Sequence, residues 1–447
     1  MTIRMTISWW FILSTQALLG SAAFAQVAPG EFREINPVAA PAAGEVLAIV
    51  GPTLIDGRGG APVKDAVVIV RGTRIEAAGP KAQVSIPSGA KRTDAAGLTL
   101  LPGFVDTHLH TGRSPEIPPI FLRAGVTTGR DPGVGLDRYD IAIGRGLKIP
   151  RMFLTGLHFD QEPVHHPLNA IVINNAPEAA AAVNRFADAG ATGIKIYYRL
   201  PVELIRATCV AADARGIPVI AHLELVDADR AIDAGLDGIE HVTSVGTAVA
   251  EPAVAEAFRA SIQRNKKVQH ADHHMLWASL DLDSPRVQRM VRIMAERGVV
   301  FSPTMTYFFG HGPGSKQPTE VSRRAFANML GFVGKCHEAG VKITVGSHMM
   351  LTVEPEGKAF QREMEFLVEA GMSPMDTLVA AMMEGARYLR AEKRVGSIEP
   401  GKLADLILIA GDPLKNIRAT RNIRRVMLNG VWIGDAAPES KMPLLSN

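Results

Sequence analysis

Residues 101–111 read LPGFVDTHLHT, and the two histidines in this stretch are spaced to work together on one metal ion. Residues 104–109 are apolar and β-prone, and they follow a Pro-Gly pair that starts a new element. Alternation along a strand puts Asp106, His108 and His110 on one face and Val105 and Leu109 on the other. Imidazoles from His108 and His110 can then reach a single divalent ion, provided that other ligands converge from elsewhere. An isolated His-x-His is also what a plain polar strand end looks like, so the rest of the chain has to supply the partners.

From about residue 104 to 394, apolar β-rich strings alternate with Ala-rich amphipathic segments. GIKIY (193–197) follows helix-like 179–189, IPVIAH (217–222) follows 202–215, and GIEH (238–241) follows 227–234. VVFSPT (299–304) and VKITVG (341–346) each follow a further helical segment. Repeated units of this size predict an α/β fold with a parallel sheet, and seven or eight of them predict a closed (β/α)8 TIM-like barrel. The alternative is a doubly wound open sheet, but no G-x-G-x-x-G follows the first strand. Lys195, His222 and His241 fall at or near the C-terminal ends of successive strands, where a barrel gathers its active site.

Short strands flank this region on both sides. Residues 47–50, 66–71 and 74–77 are β-rich, with turns at 56–60 and 72–73, but this module is too small to bury a core alone. Residues 404–409 and a hairpin over 423–432 around Asn429-Gly430 supply the missing strands. The expected organisation is a discontinuous small β-sandwich from 46–103 and 395–440, enclosing a barrel over 104–394.

The chain has 447 residues, 47% of them hydrophobic and 6% aromatic, and a formal net charge of +3. That length suits one large fold with an accessory module. Its charges are interspersed, which gives no case for nucleic-acid binding. Residues 1–25 have the layout of a secretory signal peptide: Arg4, an apolar run through Leu19, and Ala23-Phe24-Ala25 as a small-x-small cleavage site. Ser14, Thr15 and Gln16 interrupt the run, which argues against a retained anchor. The expectation is an exported protein, periplasmic or secreted from a bacterium, with residues 26–45 as a loose leader and no integral membrane anchor after cleavage. The two cysteines, Cys209 and Cys336, are expected as buried free thiols.

Taken together these motifs resemble the amidohydrolase superfamily, within it the imidazolonepropionase-like and prolidase-like group. The resemblance covers nearly all of the expected mature chain. It rests on LPGFVDTHLH, AGVTTGRDPG (124–133), GIKIY, IPVIAH, AGLDGIEH (234–241) and GSIEPGKLADLILIAGDP (396–413). It implies a site for two divalent metal ions, usually zinc, acting on a small-molecule substrate; further copies of the chain are left open as partners. His108 and His110 would hold the first ion and His222 and His241 the second. Lys195 would bridge them as a carbamate formed with carbon dioxide, since an apolar barrel wall disfavours its ammonium form. Water activated between the ions would attack the carbonyl carbon of an amide, dipeptide or N-acyl amino acid.

At the end of the last strand the family pattern expects Gly-Ser/Thr-Asp, with the Asp as metal ligand and general base. This chain reads Gly346-Ser347-His348. On one reading His348 ligates the metal or shuttles the proton itself, as imidazole can do either. On the other the protein keeps metal and loses normal hydrolysis, becoming a ligand-binding homologue. Lactone hydrolysis is a related alternative. Glu224 shares the inward face with His222, while Glu354 and Glu356 lie in the loop after the last strand.

For substrate contacts, Tyr197 shares parity with Lys195, His158 follows the third strand, and Arg113 and Arg199 lie in loops after ligand-bearing strands. His270, His273 and His274 are expected on the surface of an inserted polar loop, and Asp131 as a group supporting the site.

Overall fold

The computed structural model describes residues 41, 44–264 and 269–435. The expected leader and signal segment, apart from Pro41 and residues 44–45, lie outside the described residues, as does the chain beyond Asp435. Eight barrel strands are present: β1 (Phe104–Asp106), β2 (Val126–Asp131), β3 (Arg151–Leu154), β4 (Ile194–Ile196), β5 (Val219–Ala221), β6 (Gly238–Glu240), β7 (Val300–Ser302) and β8 (Lys342–Ile343). β1 to β3 pair in parallel, as do β4 to β8. A parallel pair, His158–Asp160 and Ala170–Val172, is inserted after β3, and Thr192 N donates to Leu154 O at 2.7 Å between β3 and β4.

The barrel closes through the loops that carry the candidate ligands. Thr107 N donates to Val345 O at 3.0 Å, and His348 N donates to His108 O at 2.8 Å. An open doubly wound sheet has no such first-to-last contact. Helices cover the outside because their stripes are apolar and their ends are capped. Asn175 caps Ala176–Asp188, Ser284 caps Pro285–Glu296, and a Thr319–Ser322 capping box opens Glu320–Glu338. Each satisfies a first-turn N–H group that has no partner within the helix.

The flanking strands form two sheets. One runs Arg74–Pro80, Ala66–Arg71, Val46–Val50, Lys91–Asp94; the other runs Val431–Asp435, Ile423–Leu428, Leu406–Ala410, Leu98–Pro102, Thr53–Leu54. Ile49, Val68 and Val70 meet Leu100, Leu406 and Met427 in the core between them. The second sheet thus mixes strands from both ends of the chain. Three flanking strands lack a signal in the sequence: Thr53–Leu54 is only two residues long, Lys91–Asp94 is polar and largely exposed, and Leu98–Pro102 overlaps the LPGF motif that leads into β1.

Sandwich and barrel are joined by a buried ion pair. Arg151 Nη2 donates to Asp405 Oδ2 at 3.1 Å and to Asn429 Oδ1 at 2.6 Å. Asn429 and Gly430 both take positive φ (51° and 75°), as a two-residue hairpin of this kind requires.

Candidate metal centre

β1 stops at Asp106, short of the strand expected to run through Leu109. The expected parity survives because side chain and backbone contacts take over. Asp106 Oδ1 accepts from His108 N (3.0 Å) and Ser347 N (3.1 Å), and Leu109 N continues onto Arg130 O (2.7 Å). His108 Nε2 and His110 Nε2 therefore converge to 3.2 Å. The opposite nitrogen of each ring faces a carboxylate: His108 Nδ1 contacts Glu240, and His110 Nδ1 lies 3.4 Å from Asp131 Oδ1. With protons assigned to the Nδ1 atoms by those partners, the two Nε2 lone pairs point at each other, an arrangement that a cation between them relieves.

Two further histidines are oriented in a similar way, one by a carboxylate and one by a hydroxyl. His222 Nε2 is 2.7 Å from Glu224 Oε1, and His241 Nδ1 is 2.7 Å from Thr304 Oγ1. Ring centroids of His222 and His241 are 4.5 Å apart, and those of His108 and His241 4.6 Å. His241 directly follows Glu240, yet both reach the barrel interior. On a regular strand neighbours point to opposite faces; here His241 has φ 69°, which breaks the alternation. Such a conformation costs on the order of 1–3 kcal/mol in a non-glycine residue and is held by surrounding contacts.

Glu240 is buried beneath this cluster. It accepts from Arg130 Nη2 (2.6 Å) and Tyr388 Oη (2.7 Å) as well as facing His108. Lys195 Nζ is buried with no hydrogen-bond partner among the described residues. Burial lowers its pKa to about 7, with Glu240 opposing and Arg130 assisting. Burial also holds His108, His241 and His348 well below the usual imidazole range and lowers His222. Neutral rings keep a lone pair, so this is a donor set and not a cluster of cations.

His348, like His241, has a positive φ (52°). Its ring stacks on His108 at 5.1 Å and meets His110 edge-on at 4.6 Å. One nitrogen from each of His108, His110 and His348 lies within 4.8 Å of the other two, so the three can share an ion. Where an Asp is expected, His348 therefore reaches the same place. The donors present fit a divalent metal centre: five imidazoles, four of them (His108, His110, His222 and His241) with one ring nitrogen facing an oxygen behind it, around an unpartnered buried amine.

Tyr197 stands beside this set, its ring 4.9 Å from His222 and stacked at 4.8 Å on His158, whose ring nitrogens are buried without partners among the described residues. Tyr197 Oη is 3.2 Å from His166 Nε2. Arg113 is exposed at the rim, and its charge is felt at His348 and Tyr307. Arg199 is turned aside: its guanidinium lies over Tyr198 at 5.2 Å, and its backbone N–H donates to Asp160 Oδ1 at 3.0 Å. Glu354 is held at 2.9 Å by both terminal nitrogens of Arg421, so it is not a substitute base. Asp131 accepts from Gly112 N (2.8 Å) and Tyr139 Oη (2.6 Å), a supporting position as expected.

The segment expected as a polar loop with surface histidines is a helix, Gln269–Ala278, and His273 on it is buried against Glu224. Tyr307 was also missed; its ring lies 4.1 Å from that of His348. Glu240, Arg130 and Tyr388 escaped notice too. A glutamate inside an apolar strand string was the available signal for the first of them.

Eight parallel strands with polar side chains gathered at their C-terminal mouth define a barrel enzyme whose histidine cluster could hold a metal. The amidohydrolase family model matches residues 99–433, and the chain belongs to that family, whose members generally bind divalent metals. It is a hydrolase acting on carbon–nitrogen bonds. It is 26% identical over 405 residues to a 5-methylthioadenosine/S-adenosylhomocysteine deaminase of Symbiobacterium thermophilum, covering 82% of this chain and 85% of that one. It is 25% identical to an imidazolonepropionase of Cutibacterium acnes over 78% of this chain and 84% of the other. A solved Xaa-Pro dipeptidase with bound methionine superposes with a TM-score of 0.66 at 24% identity, covering 87% of this chain and 99% of that one, a likeness of fold.

Proposed function

We propose that this protein hydrolyses an amide, dipeptide or N-acyl amino acid at a centre of two divalent ions, zinc by the chemistry of its donors, held by His108, His110, His222, His241, His348 and a carbamylated Lys195. The observation that carries this reading is the 3.2 Å approach of two imidazole nitrogens whose rings are each anchored by a carboxylate from behind. When bound, the ions supply Lewis acidity at the substrate carbonyl and activate water near neutral pH.

The chain's own residues do the rest. Near neutrality a substantial share of Lys195 is the free amine, which forms an N–C bond with carbon dioxide and releases one proton. Glu240, Asp131, Glu224 and Thr304 fix which nitrogen of each ring faces inward. His348, kept neutral by burial, has a single ring lone pair: given to the ion it makes the residue a ligand, and left free it takes a proton from water and returns it to the leaving nitrogen. Tyr197 and His158 form the wall against which the acyl part rests, and Arg113 at the rim attracts a carboxylate; Arg199 does so only after leaving Tyr198. The deaminase and imidazolonepropionase relatives support cleavage of a C–N bond at a planar carbon. The layout of residues 1–25 supports export.

Metal analysis beside a screen of dipeptides, N-acyl amino acids, cyclic amides and lactones tests this reading. Native protein should hold two equivalents of divalent metal and turn over an amide, with Lys195→Ala losing both the second equivalent and the activity. Amide hydrolysis that survives in metal-free Lys195→Ala protein refutes it. Turnover that appears only in His348→Asp favours the ligand-binding alternative.

A further inference from the structure

The histidine-rich helix Gln269–Ala278, inserted between β6 and β7, reaches the metal centre from outside the barrel's eight strand ends. His273 Nε2 lies 3.0 Å from Glu224 Oε1 and 2.9 Å from Oε2, and Gln269 Nε2 donates to Oε1 at 3.0 Å. Glu224 in turn takes His222 Nε2 at 2.7 Å. All three of His222, Glu224 and His273 are enclosed or nearly so, and the Phe258 ring, 5.1 Å from that of His273, fills one side. Glu224 lies two residues from His222, so an untethered carboxylate there is free to turn towards an ion and compete with the imidazole. Both of its oxygens are instead held from the far side by His273.

We infer that His273 is a positioning residue for the His222 half of the metal centre: it locks Glu224, and through it commits His222 Nε2 and leaves Nδ1 as the inward donor. The inference rests on the proposed metal centre and deepens it. It gives the inserted helix a job that nothing in the barrel requires, since the other ring-orienting oxygens come from barrel strands or the turn after β7. Removing the outer partner of a metal-ligating histidine typically costs about 10–100-fold in metal affinity.

Titration of the metal-depleted full chain with cobalt(II), read by visible absorption and calorimetry, tests this. His273→Leu should weaken the second equivalent by about 10–100-fold and change its absorption band, while the first equivalent keeps its affinity and spectrum. His273→Gln, which can still donate to Glu224, should restore most of both. Glu224→Gln should reproduce the His273→Leu defect, and the double variant should add little to either single change. If His273→Leu does not fold, Glu224→Gln and His273→Gln carry the comparison with the same expected signs. Two native-like equivalents in His273→Leu, or a Gln variant as impaired as a folded Leu variant, overturn the assignment. Native protein that binds no cobalt overturns the metal centre itself.

Discussion

Replacing Glu240 by Gln is the sharpest single test of how this site is held. The carboxylate accepts from Arg130 Nη2 at 2.6 Å and Tyr388 Oη at 2.7 Å, and it faces His108 Nδ1. All four groups are buried. An amide of the same shape has one acceptor oxygen with two lone pairs, so one of the three donors must lose its acceptor. Arg130 also loses its counter-charge, worth about 4 kcal/mol for unit charges 4 Å apart at an effective dielectric of 20. The new amide oxygen returns about 1 kcal/mol as a neutral hydrogen bond. Arg130 keeps Thr107 O at 2.9 Å and the Tyr388 ring 4.2 Å away, both present already. The net expected loss is about 3 kcal/mol, the lower end of what breaking a buried pair costs. Urea unfolding of the metal-free protein measures it. The double variant Arg130→Met, Glu240→Gln supplies the control, because no lone charge is left behind. It should be more stable than Glu240→Gln alone. Should Glu240→Gln unfold within about 1 kcal/mol of native, or the double variant regain nothing, the counter-charge account is wrong.

Two other consequences concern buried groups away from the ligands. Burial raises the Glu363 carboxyl from 4.5 to about 7, against the downward pull of Thr306 and Met305 N–H groups that it accepts. The folded pKa exceeds the unfolded one, so the native state loses stability as pH rises from about 4.5 to 7, by about 3 kcal/mol in all. Glu363→Gln should remove that slope; a native-minus-variant difference that is flat between about pH 5 and pH 8 refutes it. Cys209 and Cys336 are both buried and free, with burial pushing Cys209 up to about 12 and Cys336 higher still. A thiol reagent should find neither in the folded protein and both after denaturation, and a disulfide recovered from the native chain would contradict this.

The candidate strand ends were legible because two regularities coincide there: apolar β strings at regular spacing, and a polar group at the close of each. His108, His110, Lys195, His222 and His241 were singled out by that coincidence together with the family resemblance, and the structure brings their side chains to one end of the barrel. What supports them was not legible, for a physical reason. Glu240 and His241 are adjacent, and period-two alternation forbids both from facing inward; only the positive φ of His241 permits it. The same break recurs at Thr304 (φ 52°), whose hydroxyl then meets His241, and at His348. Strained backbone has no propensity signature in residues of these types. His273 was lost differently: a helix dense in histidine carries little apolar periodicity, although Leu276 and Trp277 anchor it in the core.

His348 reads differently once those supports are known. An aspartate at the end of β8 would put a negative charge directly against the first ion. Here that position is a neutral ring, and the carboxylates stand on the far side of other rings, Glu240 behind His108, Asp131 behind His110 and Glu224 behind His222. A carboxylate behind an imidazole strengthens it as a donor without occupying a coordination position. In the proposed centre this leaves donors for a cation while making the site less anionic at the surface that meets substrate. A bound ion whose charge is less fully cancelled is a stronger Lewis acid, which offsets part of the weaker proton acceptor that His348 is beside a carboxylate-ligated base. In the proposed centre, a histidine at the family's Asp position moves the balance of the reaction from base strength towards carbonyl polarisation, and the comparison of native protein with His348→Asp measures that balance.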